Sequence, residues 1–239
     1  MNVPPCVSRI LIVGAGGFRR EVLQWARDAW PSQASLIGGF LAADDAAAVA
    51  GNRLLPVIAD PSEFNPGPGD AMLLAIGIPG VRRRVAETLA GRGGTFLTLI
   101  HPTAIVAPSA TIGAGSILCP YSIVSDSAKL GRHVLLNYHA SLGHDATAGD
   151  YAVFSPYAAL GGHAHVGDDC FLGMHACVGP GRTVASRSKV SANSSALTDA
   201  PADSIVYGVP GRVAPRIVAW ESAAENRRDA ATSGEDDGT

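Results

Sequence analysis

AIVAPSATIGAGSILCPYSIV (Ala104–Val124) returns an aliphatic residue every sixth position, at Val106, Ile112, Leu118 and Val124. Carried forward, the same step lands on Leu130, Leu136, Leu142, Ala148, Phe154, Leu160, Val166, Leu172, Val178, Val184, Val190 and Ala196, sixteen consecutive hits in all. Two residues before each hit the chain is Ala, Ser or Cys at fourteen of the sixteen places, with Val134 and Arg182 as the exceptions. A helix needs a period of 3.6 and a strand a period of two, and neither tolerates this spacing over ninety residues. A period of six implies a repeat architecture: a triangular solenoid with one inward aliphatic side chain per face, small residues at the turns, and three hexads to a coil. Residues eighteen apart then stack on one face.

Ahead of this, the pattern is strand and helix in alternation. RILIVGAGG (Arg9–Gly17) is a buried strand entering a glycine turn, and REVLQWARDAW has helical apolar spacing up to Pro31, which stops it. SLIGGFLA and DAMLLAIG are further strands, and GVRRRVAETLAGRGG is a helix ended by glycines. The expected fold class is an α/β, Rossmann-like small parallel sheet over 1–100, followed by an all-β parallel β-helix over 101–200. A closing loop, edge strand and short helix over 201–228 and a polar tail over 229–239 complete the expected organisation. With 47% apolar and 16% charged residues and a net charge of -3, nothing draws the chain toward nucleic acid or a membrane surface. The N-terminus has no secretory pattern, so a cytoplasmic location is expected. Cys6, Cys119, Cys170 and Cys177 lack metal-knuckle spacing and read as free or buried thiols.

ILIVGAGGFRREVLQWA, AIGIPGVRRRVAETL, IHPTAIVAPSATIGAGS, NYHASLGHDATAGDY and VYGVPGRVAPR together resemble the hexapeptide-repeat sugar O- and N-acyltransferases. The resemblance is to the sialic acid O-acetyltransferases and to the bacillosamine and perosamine N-acetyltransferases, which carry a nucleotide-sugar-binding domain ahead of a left-handed β-helix. It implies acetyl-CoA or another short acyl-CoA as co-substrate, no metal, a small-molecule sugar acceptor and a homotrimer. His144 is then the general base, within a segment that also holds Asn137 and Asp145. The chemistry suits imidazole, because an amine or hydroxyl attacking a thioester must lose a proton near neutral pH. Asp145 would fix the imidazole tautomer. Gly162, one coil above His144, would leave room for the thioester and offer its N–H to the oxyanion; Gly173 and Arg212 would meet the rest of CoA. Gly14, Gly16, Gly17, Gly77 and Arg82 would hold the nucleotide.

Three features depart from simpler readings. The dinucleotide fingerprint fails at its third glycine, where Arg19 stands. The family's acidic pair is replaced by Ala42 and Ala43, with Asp44 and Asp45 following, which leaves open a sugar acceptor without a nucleotide, such as an antibiotic sugar. Of the seven histidines, His139 and His144 lie five apart, as do two zinc ligands of gamma-class carbonic anhydrases, which share the fold. The eighteen-residue stacking puts His139 in line with Tyr157 and His175 and His144 in line with Gly162 and Pro180, so the two belong to different ladders. Thr103 fills the place of the third ligand, and zinc needs at least three from the protein. His101 is two residues off, and His163 and His165 read as surface or interface residues. A zinc hydratase and a non-catalytic β-helix binding protein are the readings from other classes.

Overall fold

The computed structural model describes residues 2–42 and 55–216. Ala43, Asp44, Asp45 and everything beyond residue 216, including the expected closing helix and tail, lie outside them.

Each of the sixteen hexads forms a two-residue strand that ends on its aliphatic residue, from Ile105–Val106 to Ser195–Ala196. The strands stack in parallel with partners eighteen residues apart, as in Leu136 beside Leu118 and Phe154. They make three sheets, one for each face of a prism. The aliphatic residues fill its interior with the small residues that precede them by two; Ala128, Ala140, Ala146, Ala152, Ala158, Ala164 and Ala176 are all buried. Arg182, the second exception to the small-residue rule, is exposed, with its guanidinium turned to Asp199 at 3.8 Å.

The corners are turned by a residue that the six-residue count does not single out. Three positions after each aliphatic residue from Ile112 to Val190 the backbone enters the left-handed region: Tyr121, Ser127, His133, His139, Asp145, Tyr151, Tyr157, His163, Asp169, His175, Arg187 and Asn193 have φ of 53° to 63°, and Gly115 and Gly181 occupy the same slot. The conformation costs about 1–2 kcal/mol for a residue with a side chain. It also turns the residue's N–H toward the coil before it, where it finds an acceptor: His139 donates to the Pro120 carbonyl, Asp145 to Asp126, and His163 to His144. No β-branched residue takes the slot in this run, and His, Asn and Asp are enriched in left-handed backbone generally. Four of the seven histidines are therefore corner residues for backbone reasons.

The N-terminal unit has β1 (Arg9–Val13), α1 (Phe18–Ala29), β2 (Ile37–Leu41), β3 (Val57–Ala59), β4 (Asp70–Leu74), α2 (Pro79–Gly91) and β5 (Thr95–Phe96). The strands form a parallel sheet in the order β3-β2-β1-β4-β5. The chain then enters the prism at Leu99–Ile100, one strand earlier than the hexad count begins. This first face is apolar outside as well as inside. Leu99, Ile117, Leu135 and Val153 point outward and share one core with Val22, Leu23 and Ala26 of α1. The outward positions of the second face are instead Ile105, Ile123, Ser141, Ala159, Cys177 and Ser195, and those of the third include Lys129, Thr147 and His165. After the last coil, Ser204–Tyr207 and Arg212–Pro215 close the first sheet as an antiparallel pair.

Helix α2 is pinned to the corner between the third and first faces. Arg82 is 0% exposed, and its guanidinium donates to the carbonyls of His133 (2.6 Å), Leu74 (2.6 Å) and Ile76 (2.9 Å). Burial lowers its pKa to about 9. Arg83 lies over the Tyr151 ring and grips Asp169, and these two residues are successive members of the same corner ladder. The His133 ring is sandwiched between Phe96 and Tyr151, and desolvation, with Arg82 and Arg132 nearby, brings its pKa down to about 4. Arg82, expected at the nucleotide, here joins the two units through one carbonyl of the prism and two of the N-terminal unit.

Replacing Arg82 by Leu strips the donor from three buried carbonyls, each worth about 1–3 kcal/mol. Denaturant unfolding of Arg82→Leu should show a loss of more than about 3 kcal/mol on that scale, with the acceptor KM of the folded fraction unchanged. Unchanged stability with a raised acceptor KM would contradict the docking role.

Candidate functional site

The corner between the second and third faces carries His144 and His163. In the turn Gly143–Ala146 the Ala146 N–H closes on the Gly143 carbonyl, which leaves His144 at the second position with its side chain outward. Asp145 takes the left-handed slot beside it. His144 Nδ1 lies 3.0 Å from Asp145 Oδ2, with side chains 62% and 44% exposed. An ionised carboxylate can only accept, so in this contact Nδ1 carries the hydrogen and Nε2 keeps its lone pair. Nε2 faces Gly162: a methyl group on Gly162 would stand 2.5 Å from it. One coil earlier, the Asp126 carboxyl accepts from Ser109 and Ser127, and these hydrogen bonds hold it below the usual carboxylate range.

The glycine above is equally specific. The Gly161 N–H donates to Val178 and the Gly162 carbonyl accepts from Gly181, whereas the Gly162 N–H has no acceptor among the described residues. Gly173 differs: its N–H donates to the Val190 carbonyl at 2.8 Å, so what it offers a ligand is the absence of a side chain. Gly173 and Asn137 stack at the corner between the first and second faces. There the Asn137 Oδ1 accepts from the Tyr138 N–H, and Tyr121, His139, Tyr157 and His175 form a continuous stack with ring centroids 4.7 to 5.1 Å apart. Asn137 and His144 therefore flank opposite ends of the strand Ser141–Leu142 and do not touch within one chain.

His163, read from sequence as a surface residue, joins His144 and Asp145. It stands one coil above Asp145 in the left-handed ladder, its Nε2 3.7 Å from Asp145 Oδ2 and its ring edge-on to His144 at 5.1 Å. The eighteen-residue interval from Asp145 was the available signal. His165 hydrogen-bonds Thr147 on the third face.

In the N-terminal unit, Gly14 has φ of 147°, and a methyl group there would strike the Ala75 carbonyl oxygen at 2.4 Å, so β1 can turn into α1 only through glycine. Gly16 and Gly77 face open space, and Gly17 caps α1. Arg19, in place of the third fingerprint glycine, is buried with its guanidinium over Phe40. Ala42, where the family's acidic pair begins, is also buried. Arg212 is exposed on the final strand pair, opposite Tyr207. All four cysteines are free thiols, with Cys119 and Cys170 buried. Among the described residues no helix is long and apolar enough to cross a membrane.

No protein-family model matches the chain. A curated relative, the UDP-N-acetylbacillosamine N-acetyltransferase of Bacillus subtilis (strain 168), is 45% identical over 51 residues, 21% of this chain and about a quarter (24%) of that protein. The likeness to solved structures is far more extensive. PerB from Caulobacter crescentus, solved with CoA and GDP-perosamine, matches 86% of this chain and 97% of its own at 25% identity, with a TM-score of 0.75. The acetyltransferase domain of PglB from Neisseria gonorrhoeae FA1090 matches 86% and 98% at 28% identity, TM-score 0.74. WeeI from Acinetobacter baumannii AYE matches 86% and 99% at 26% identity, TM-score 0.75. This is the fold of the hexapeptide-repeat sugar N-acetyltransferases.

In that fold the geometry at Gly162 makes a sharp demand. Gly162→Ala keeps the backbone N–H but drives a methyl group into the His144 ring, and if that imidazole is the base, a displacement of about 1 Å costs on the order of 100-fold in rate. The expected result is a kcat loss of that order with an unchanged circular dichroism spectrum. A Gly162→Ala variant working at full rate would show that the His144 position is immaterial.

Proposed function

We propose that the chain is an acetyl-CoA-dependent transferase that acetylates an amine or hydroxyl on a sugar, most consistently a nucleotide-linked one. The observation that carries this reading is the His144 imidazole, its Nδ1 held by Asp145 and its Nε2 exposed beneath the unencumbered N–H of Gly162. A thioester carbonyl lodged against Gly162 would place its oxygen near that N–H and its carbon within reach of an acceptor hydrogen-bonded to Nε2. The acceptor nitrogen or oxygen attacks the carbonyl carbon as Nε2 takes its proton. The tetrahedral intermediate collapses, the carbon–sulfur bond breaks, and the imidazolium returns the proton to the departing CoA thiolate. Among the described residues no cysteine or serine stands against the His144 ring to carry the acyl group, so attack is direct. CoA and GDP-perosamine bound together on the Caulobacter protein support this pair of substrates. Gly14, Gly16, Gly17 and Gly77 would seat the nucleotide, with the N-terminus of α1 toward its phosphates, while Gly173 and Arg212 would line the path of CoA.

The arrangement supports a homotrimer. The glycine turn belongs to a unit packed on the first face, whereas His144 stands on the opposite edge, between the second and third. A sugar held at the glycine turn would meet the His144 of another copy. The second face suits such packing, since Ile105, Ile123 and the neighbouring Tyr121, Tyr157, Met174 and Leu197 expose apolar surface there. Asn137 would then act across the same interface. The buried Ala42 removes one charge that would select a nucleotide, so an acceptor lacking one is the second reading.

Thiol release from acetyl-CoA should be measured across nucleotide-linked and free amino sugars, with wild type and His144→Ala. The expectation is turnover with a nucleotide-linked amino sugar and a fall of about 10²–10⁴-fold in the variant. Absence of release with every acceptor, or full activity in His144→Ala, would overturn the reading.

A further inference from the structure

The three side chains at the catalytic corner are chemically suited to something besides proton transfer. His144, Asp145 and His163 each bring one ligand atom into a group whose members lie within 4.8 Å of one another. The two short separations, 3.0 Å from His144 Nδ1 to Asp145 Oδ2 and 3.7 Å from His163 Nε2 to the same oxygen, bracket the roughly 3.4 Å between ligands of a tetrahedral zinc with bonds of about 2.1 Å. Two imidazoles and a carboxylate are a donor set that zinc accepts, and three protein ligands leave a fourth position for water. The side chains are 62%, 44% and 68% exposed, so an ion arrives without any rearrangement of the core. Asp126, ionised one coil below, adds a second negative charge to the corner.

We infer that His144, Asp145 and His163 form an inhibitory site for a divalent transition metal, zinc above all, which switches the acetyl transfer off. The inference rests on the role of His144 given above. A neutral imidazole has one lone pair. When Asp145 accepts from Nδ1–H, that pair is on Nε2, facing Gly162, and the residue is a base. When zinc takes the pair at Nδ1, the hydrogen sits on Nε2 and the residue can no longer accept a proton. The same carboxylate oxygen thus serves either as the partner that sets the active tautomer or as a ligand of the ion that abolishes it. The proposed transfer moves no proton through His163, and this separates the metal site from the base.

The test is calorimetric titration of the metal-free full chain with zinc chloride, alongside acetyl transfer in the same buffer with and without EDTA. Wild type should bind one zinc per chain and lose activity in step with occupancy, with full recovery on chelation. His163→Ala should bind zinc at least about 10-fold more weakly, since even outer partners of a metal count on that scale, and its activity should become correspondingly less sensitive to zinc. Failure of wild type to bind, or binding unaltered by His163→Ala, would overturn the site. Stoichiometric binding that is lost in His163→Ala but leaves wild-type turnover untouched would keep the metal site but overturn its inhibitory role, and with it His144 as the base.

Discussion

Every eighteen residues this chain must return to the same place, and from Gly115 to Asn193 it does so by spending one left-handed residue at each corner. The strain is offset because the same backbone geometry aims that residue's N–H at a carbonyl of the preceding coil, as His163 does toward His144 and Asp145 toward Asp126. The aliphatic interior supplies the driving force, but the corners fix the stacking, and the stacking fixes the chemistry. Gly162 lies over His144 and His163 over Asp145 because each pair is separated by one coil. A single-residue insertion between them would break the site while leaving its residues in the chain.

Much of this was legible in the sequence because a solenoid turns spacing into proximity. The six-residue count marked all sixteen strands correctly, and the eighteen-residue count foretold the stack of His139, Tyr157 and His175 and the position of Gly162. The left-handed slot was missed because its signal is an exclusion, the absence of β-branched residues, and because its His, Tyr and Asp residues look functional when they are conformational. His163 was read as a surface or interface residue because its contact with Asp145 follows from the eighteen-residue interval and not from any motif. The apolar outer face of the first sheet was also available, as Leu99, Ile117, Leu135, Val153 and Phe171 at intervals of eighteen. Burial is not written in a motif: only the packing shows that Arg82 donates to three carbonyls while Arg83 serves the corner ladder.

The work is thus divided between distant parts of the prism. One face carries the unit with the glycine turn, the opposite edge carries His144, and the face between His144 and the aromatic stack exposes the apolar surface on which copies would meet. Under the proposed function, a productive site takes the glycine turn from one copy and His144 from another. Co-expression of two inactive chains tests this most directly. Gly16→Glu places a carboxylate in open space at the glycine turn, where it repels phosphate without disturbing packing, and His144→Ala removes the base. Random assembly of equal amounts into closed rings should restore roughly a quarter of the wild-type sites. Activity no higher than that of either variant alone would contradict the shared site and place all of it within one chain.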